Sequence, residues 1–176
     1  MKSITLIVTL LLAATVFAAD VDFSGTWKFD KDKSEIPEFG GRGGDPGGAG
    51  RPGGPEGRGG MTPPDMVITQ KKNIVTVERT MIGRNGEERK TETKYDLTGK
   101  VTKAKRRRGT TEHVAKMKED VLHIESVRIF ERDGMETEMV TKSTWTLVDD
   151  GKGLLIESVT ETPMGERKMK TYYSKQ

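Results

Sequence analysis

The chain has 176 residues, with 30 Lys plus Arg against 27 Asp plus Glu and a formal net charge of +3. That length holds one domain and not comfortably two, and charge this dense yet nearly balanced argues against a dedicated nucleic-acid binder, which carries a net basic face. The absence of Cys excludes disulfides, thiol nucleophiles and zinc–thiolate sites, and two His leave little for imidazole catalysis.

The first 18 residues hold 13 of the 57 apolar residues. Met1-Lys2 supplies a positive start, Ile4 to Ala14 an apolar stretch, and Val16-Phe17-Ala18 small or tolerated residues before a cut. The stretch is too short for a membrane span, which needs about 20 apolar residues. Residues 1–18 therefore read as a cleaved signal peptide, and residues 19–176 as one domain, periplasmic or secreted. No Cys follows the cut, so a lipoprotein is not expected.

Phe23, Gly25, Trp27 and Phe29 alternate with Ser24, Thr26 and Lys28, the period of two of a half-buried strand. Residues 40–60 then hold 12 Gly and 3 Pro, with Ala49 as the only apolar residue. Such a stretch cannot bury enough surface to offset its ordering entropy, so 40–64 reads as a flexible insertion closed by Thr62-Pro63-Pro64. Strands follow at 66–71 and 74–82, joined by Lys72-Asn73. Gly83-Arg84-Asn85-Gly86 turns the chain into 88–97, where Thr91, Thr93, Tyr95 and Leu97 share a face. Further strands are expected at 111–118 and 121–131, hinged at Glu119-Asp120, and at 135–148, with Met139, Thr141, Trp145 and Leu147 on one face. Asp149-Asp150-Gly151 leads into 154–162, and Pro163-Met164-Gly165 into 166–174. No stretch of residues 19–176 sustains a helical period. About nine strands at short, regular spacing predict an all-β, antiparallel up-and-down barrel, because a sheet this long must curl or close.

The segment Phe23-Ser24-Gly25-Thr26-Trp27-Lys28-Phe29 resembles the G-x-W first strand of the calycins, the lipocalins and fatty-acid-binding proteins. Tyr95-Asp96-Leu97-Thr98-Gly99-Lys100 and the segment from Trp145 to Lys152 resemble strand–turn units of secreted bacterial lipocalin-like domains. Tyr172-Tyr173-Ser174-Lys175 is similar to the end of a fatty-acid-binding protein. The resemblance implies a barrel around a small hydrophobic or amphipathic molecule, with Gly25 and Trp27 plugging its closed end. It also implies pocket residues among the inward-phased side chains away from the plug: Tyr95, Met139, Trp145, Met169 and Tyr173. Where fatty-acid-binding proteins place a two-helix lid, this chain has its glycine tract. Where they place an anchoring Arg two residues before the final Tyr, it has Thr171.

A two-residue turn at Glu119-Asp120 sets Lys116 opposite His123 and His113 opposite Ser126, so the imidazoles fall on opposite faces and His113 is expected to be a lone exposed side chain. No nucleophile elbow, phosphate loop or dinucleotide fingerprint occurs, and no metal, cofactor or catalytic residue is expected. Lys103, Lys105, Arg106, Arg107 and Arg108 form the one concentrated charge run. It reads either as a solvated sheet edge or as a patch for an anionic surface or envelope partner. The leading expectation is a non-enzymatic barrel binding its ligand inside. The alternative is a filled barrel that meets a protein, glycan or anionic surface from outside.

Overall fold

A computed structural model describes residues 21–37, 62–82, 86–106, 109–132, 135–162 and 165–176, with Arg106, Arg132 and Met135 described by backbone only. Residues 1–18, expected to be a signal peptide, most of the glycine-rich stretch, and Arg107 and Arg108 lie outside the described residues. Every regular element described is a strand: β1 (Gly25–Glu35), β2 (Met66–Lys71), β3 (Ile74–Ile82), β4 (Glu88–Asp96), β5 (Thr102–Arg106), β6 (Gly109–Lys118), β7 (Val121–Arg132), β8 (Met135–Val148), β9 (Gly153–Thr162) and β10 (Gly165–Lys175). No helix among the described residues is long and apolar enough to cross a membrane.

All ten strands form one antiparallel sheet in the order β4-β3-β2-β1-β10-β9-β8-β7-β6-β5. Each strand pairs with its chain neighbour except β4 with β5, and β1 pairs with β10 through Trp27↔Lys175 and Phe29↔Tyr173. The sheet thus curls into a nearly closed barrel with a single seam between β4 and β5. That seam is held by Thr102 Oγ1 donating to the Lys94 carbonyl at 2.7 Å and by the isolated bridge Thr98↔Lys116. The barrel has ten strands where periodicity counts about nine. The additional one is β5, whose Thr-Lys-Ala-Lys-Arg sequence carries Ala104 as its only apolar residue, so it has no hydrophobic alternation to reveal it.

Strand direction assigns the two ends. The turns β2–β3, β4–β5, β6–β7 and β8–β9 lie at one end with both termini of the described barrel. The connections β1–β2, β3–β4, β5–β6, β7–β8 and β9–β10 lie at the other. The first end is closed by the core: Phe23, Trp27, Ile68, Val75, Tyr95, Leu122, Trp145, Leu154 and Tyr173 are all buried. Trp27 Nε1 donates to the Phe23 carbonyl at 2.9 Å, which ties the entering chain across the plug and satisfies the indole's polar atom. Gly25 has φ of +151°, and a Cβ there would stand 2.6 Å from the Lys175 side chain. Trp27 is fully buried in this core, and the close approach at Gly25 is made by a lysine side chain.

Candidate functional site

Alternation decides which side chains look inward, and the buried residues of each strand anchor the phase. Thr93 and Tyr95 set it in β4, His113 and Ala115 in β6, Leu122 and Ile124 in β7, Trp145 in β8, Ile156 in β9, Thr171 and Tyr173 in β10. Directly above this core the register runs Arg167–Thr160–Thr141–Ser126–His113–Thr102 across six neighbouring strands. It is a belt of hydroxyls. Thr141 and Thr160 share a hydrogen bond at 3.0 Å, and His113 Nδ1 lies 2.8 Å from Ser126 Oγ. The next level toward the mouth runs Met139–Arg128–Thr111–Ala104. The lumen therefore changes character along its axis, from packed aromatics at the closed end to hydroxyls, Met139, Phe130 and arginines at the mouth.

The inward-phased candidates divide between these zones. Tyr95 stands with ring centroids 5.8 Å from Trp145 and 5.1 Å from His113, all edge-on, so three strands meet through it at the centre of the barrel. Tyr173 packs edge-on against Phe29 at 5.7 Å. Tyr95, Trp145 and Tyr173 belong to the packed core. Met139 is half-buried toward the mouth, and Met169 is 37% exposed on the same inner phase. Burial raises the Tyr173 phenol pKa, the nearby Arg79 guanidinium opposes that rise and the Asp65 carboxylate adds to it, which puts a charge of each sign within electrostatic reach of the core. Lys168 and Lys170 fall on the opposite face from Met169 and Tyr173, as alternation requires.

His113 corrects an expectation. The register His113↔Ser126 and Lys116↔His123 is the one read from the two-residue turn, and the imidazoles do lie on opposite faces. His113 is buried, however, where a lone exposed side chain was expected. The reason is its phase: it shares the inner face with Ala115, and Tyr95 from across the seam covers it.

The described part of the basic run, from Lys103 to Arg106, lies in β5 at the edge of the sheet. Lys103 and Lys105 point outward from β5, and Lys103 Nζ meets Glu112 at 2.6 Å. Arg106 follows on the inner phase.

The outer face of β6 to β10 carries a groove of about 1020 Å³, bounded at one side by Ile36 and Pro37. Its floor follows two cross-strand rows, Lys116–His123–Thr144–Glu157–Lys170–Glu35 and Val114–Glu125–Lys142–Val159–Lys168. Charges of both signs alternate along these rows, and Lys142 meets Glu161 at 3.3 Å while Lys170 meets Glu35 at 4.0 Å. Of the groove's charged side chains, Lys142, Lys170 and Glu35 thus have a partner of opposite sign. No protein-family model and no curated protein sequence matches this chain.

Proposed function

We propose that this is an exported, non-catalytic binding barrel that takes a small amphipathic molecule into the mouth half of its lumen. One observation carries the reading: the apolar core fills only the closed end, and the inner face above it continues as hydroxyls with Met139, Phe130 and Met169. Such a wall offers apolar contact and a few placed polar groups, the usual make-up of a small-ligand site. The sequence of residues 1–18 supports export.

The test is uptake of N-phenyl-1-naphthylamine, an uncharged amphiphile whose fluorescence rises in apolar surroundings, combined with native mass spectrometry of the chain purified from its exported location. A saturable rise is expected in the natural chain. The double variant Ser126→Leu with Thr141→Leu, which fills the belt, is expected to lower it about tenfold at an unchanged fold, as reported by circular dichroism. A bare mass with no uptake would overturn the lumen reading. It would favour the second one, an interaction module working through the outer groove, which the size of that groove supports.

A further inference from the structure

The strands sort their charges by chemical type as well as by sign. In β2 to β10 every arginine holds an inner-face register position: Arg79 in β3, Arg89 in β4, Arg106 in β5, Arg128 and Arg132 in β7, Arg167 in β10. All twelve Asp and Glu of the same strands hold outer-face positions, and so do ten of their eleven lysines. The exception is Lys175, at the closed end over the Trp27 ring. Solvent exposure alone would treat lysine and arginine alike. The sorting instead follows what distinguishes them: a compact, strongly hydrated ammonium suits the outer surface, while a planar guanidinium fork suits paired oxygens.

Strand direction then brings these arginines together. Each lies in the half of its strand next to the connections at the mouth, with Arg79 deeper toward the core, since it pairs through Met66 with Trp27. Arg128 lies with its guanidinium carbon 5.3 Å from the Phe130 ring centroid, holding a cation beside an apolar surface. Below Arg128 lies the hydroxyl belt, a second tier of donors. Among the described residues of β2 to β10 no carboxylate holds an inner-phase position, and Asp65, just before β2, acts on Tyr173 together with Arg79.

We infer that the mouth of the barrel is a binding site for a phosphate-bearing ligand, with its oxyanion held by Arg79, Arg128 and Arg167 and its remaining polar atoms by the hydroxyl belt. This rests on the lumen reading above and adds the chemistry of the ligand's head. Arginine positions from several strands at one opening offer more forks than a single carboxylate can accept, and phosphate oxygens accept paired N–H donors from more than one fork. A free oligophosphate and a phospholipid headgroup share that chemistry.

The full chain is titrated calorimetrically with tripolyphosphate at about 0.15 M salt, where outer-surface attraction is largely screened. The variant Arg79→Gln with Arg128→Gln and Arg167→Gln is expected to bind about tenfold or more weakly, and its lysine counterpart, which keeps the charge and loses the fork, to fall between. The charge-matched outer control, Lys116→Gln with Lys142→Gln and Lys168→Gln, is expected to stay within about twofold. Co-sedimentation with phosphatidylglycerol vesicles distinguishes the sources: arginine-dependent binding to vesicles assigns a headgroup, and to tripolyphosphate alone a soluble phosphate. Equal losses in the inner and outer variants would overturn the inference. So would uptake of uncharged N-phenyl-1-naphthylamine without arginine-dependent binding to either phosphate probe, an outcome that leaves the lumen reading standing. Failure of all three probes would remove both. Circular dichroism melts of each variant confirm that a loss of binding reflects the site.

Discussion

Adjacent tyrosines show how one step along a strand changes a side chain's task. Tyr173 points inward, buried against Phe29, and its phenol pKa is raised by that burial. Tyr172 points outward, donates its hydroxyl proton to Asp149 in the β8–β9 turn, and carries Lys33 4.4 Å from its ring centroid. Its phenol is also raised, with the Asp149 hydrogen bond as the first cause. A phenol raised in the folded state binds its proton more tightly there than in the unfolded chain. Its contribution is therefore complete below the ordinary value of about 10 and is lost as pH climbs through the raised one. Urea midpoints should fall from about pH 9 to about pH 11, and the Tyr173→Phe variant, which keeps the ring, should show a shallower fall. An identical slope in that variant would assign the alkaline loss to other groups. Alternation makes the two tyrosines' faces legible in the sequence. Their partners are not, because Asp149 and Phe29 reach them only through the β9–β10 and β1–β10 ladders.

At the scale of single elements, β5 is the instructive case. Its residues alternate Thr, Lys, Ala, Lys, a pattern too polar to identify a strand, and its formation depends on the ladder with β6, from Thr102↔His113 to Arg106↔Gly109. Outward lysines on an edge discourage pairing with a second chain, since association would bury their charge. The contact of Lys103 with Glu112 joins an exposed lysine to a half-buried glutamate and contributes about 0–1 kcal/mol. Replacing Lys103 and Lys105 together by Val should leave the fold in place and promote self-association, read as a concentration-dependent increase in sedimentation coefficient. A strictly monomeric variant would show that the seam with β4 already shields the edge. Of the two readings of the basic run, the edge position is established for β5. Arg106, which the run groups with the lysines, belongs by register to the inner face.

Across the whole molecule, closure comes from pairing residues at opposite ends of the chain, as in Trp27↔Lys175, reinforced by the Gln176 amide donating to the Thr26 carbonyl at 2.9 Å. Ladders of this sequence separation must meet the cost of loop closure before they are stabilised, which places folding in the range of about milliseconds to seconds. The seam sets the pattern of local opening. β4 and β5 each have one paired edge, whereas β7, β8 and β9 are paired along both. In hydrogen exchange the β4 and β5 amides that face the seam should exchange first, and those of β8 last. Uniform protection around the barrel would mean that the seam is as tightly held as the ladders.

Local pattern in the sequence specifies the all-strand architecture, most of the turns, the β6–β7 register and the burial of Trp27. Those features follow from local rules: a period of two, two-residue turns, and the packing needs of one large ring. The inward phase of Arg79, Arg128 and Arg167 was equally written there, in step with Val77, Ile124 and Met169, and goes unseen only when alternation is applied to apolar residues alone. Tertiary contacts set three things: that β5 is a strand, that His113 is buried, and that inner-phase arginine positions on several strands lie in the same half of the barrel. Each depends on residues brought together across the sheet, where strand direction and closure set the neighbours and local pattern cannot.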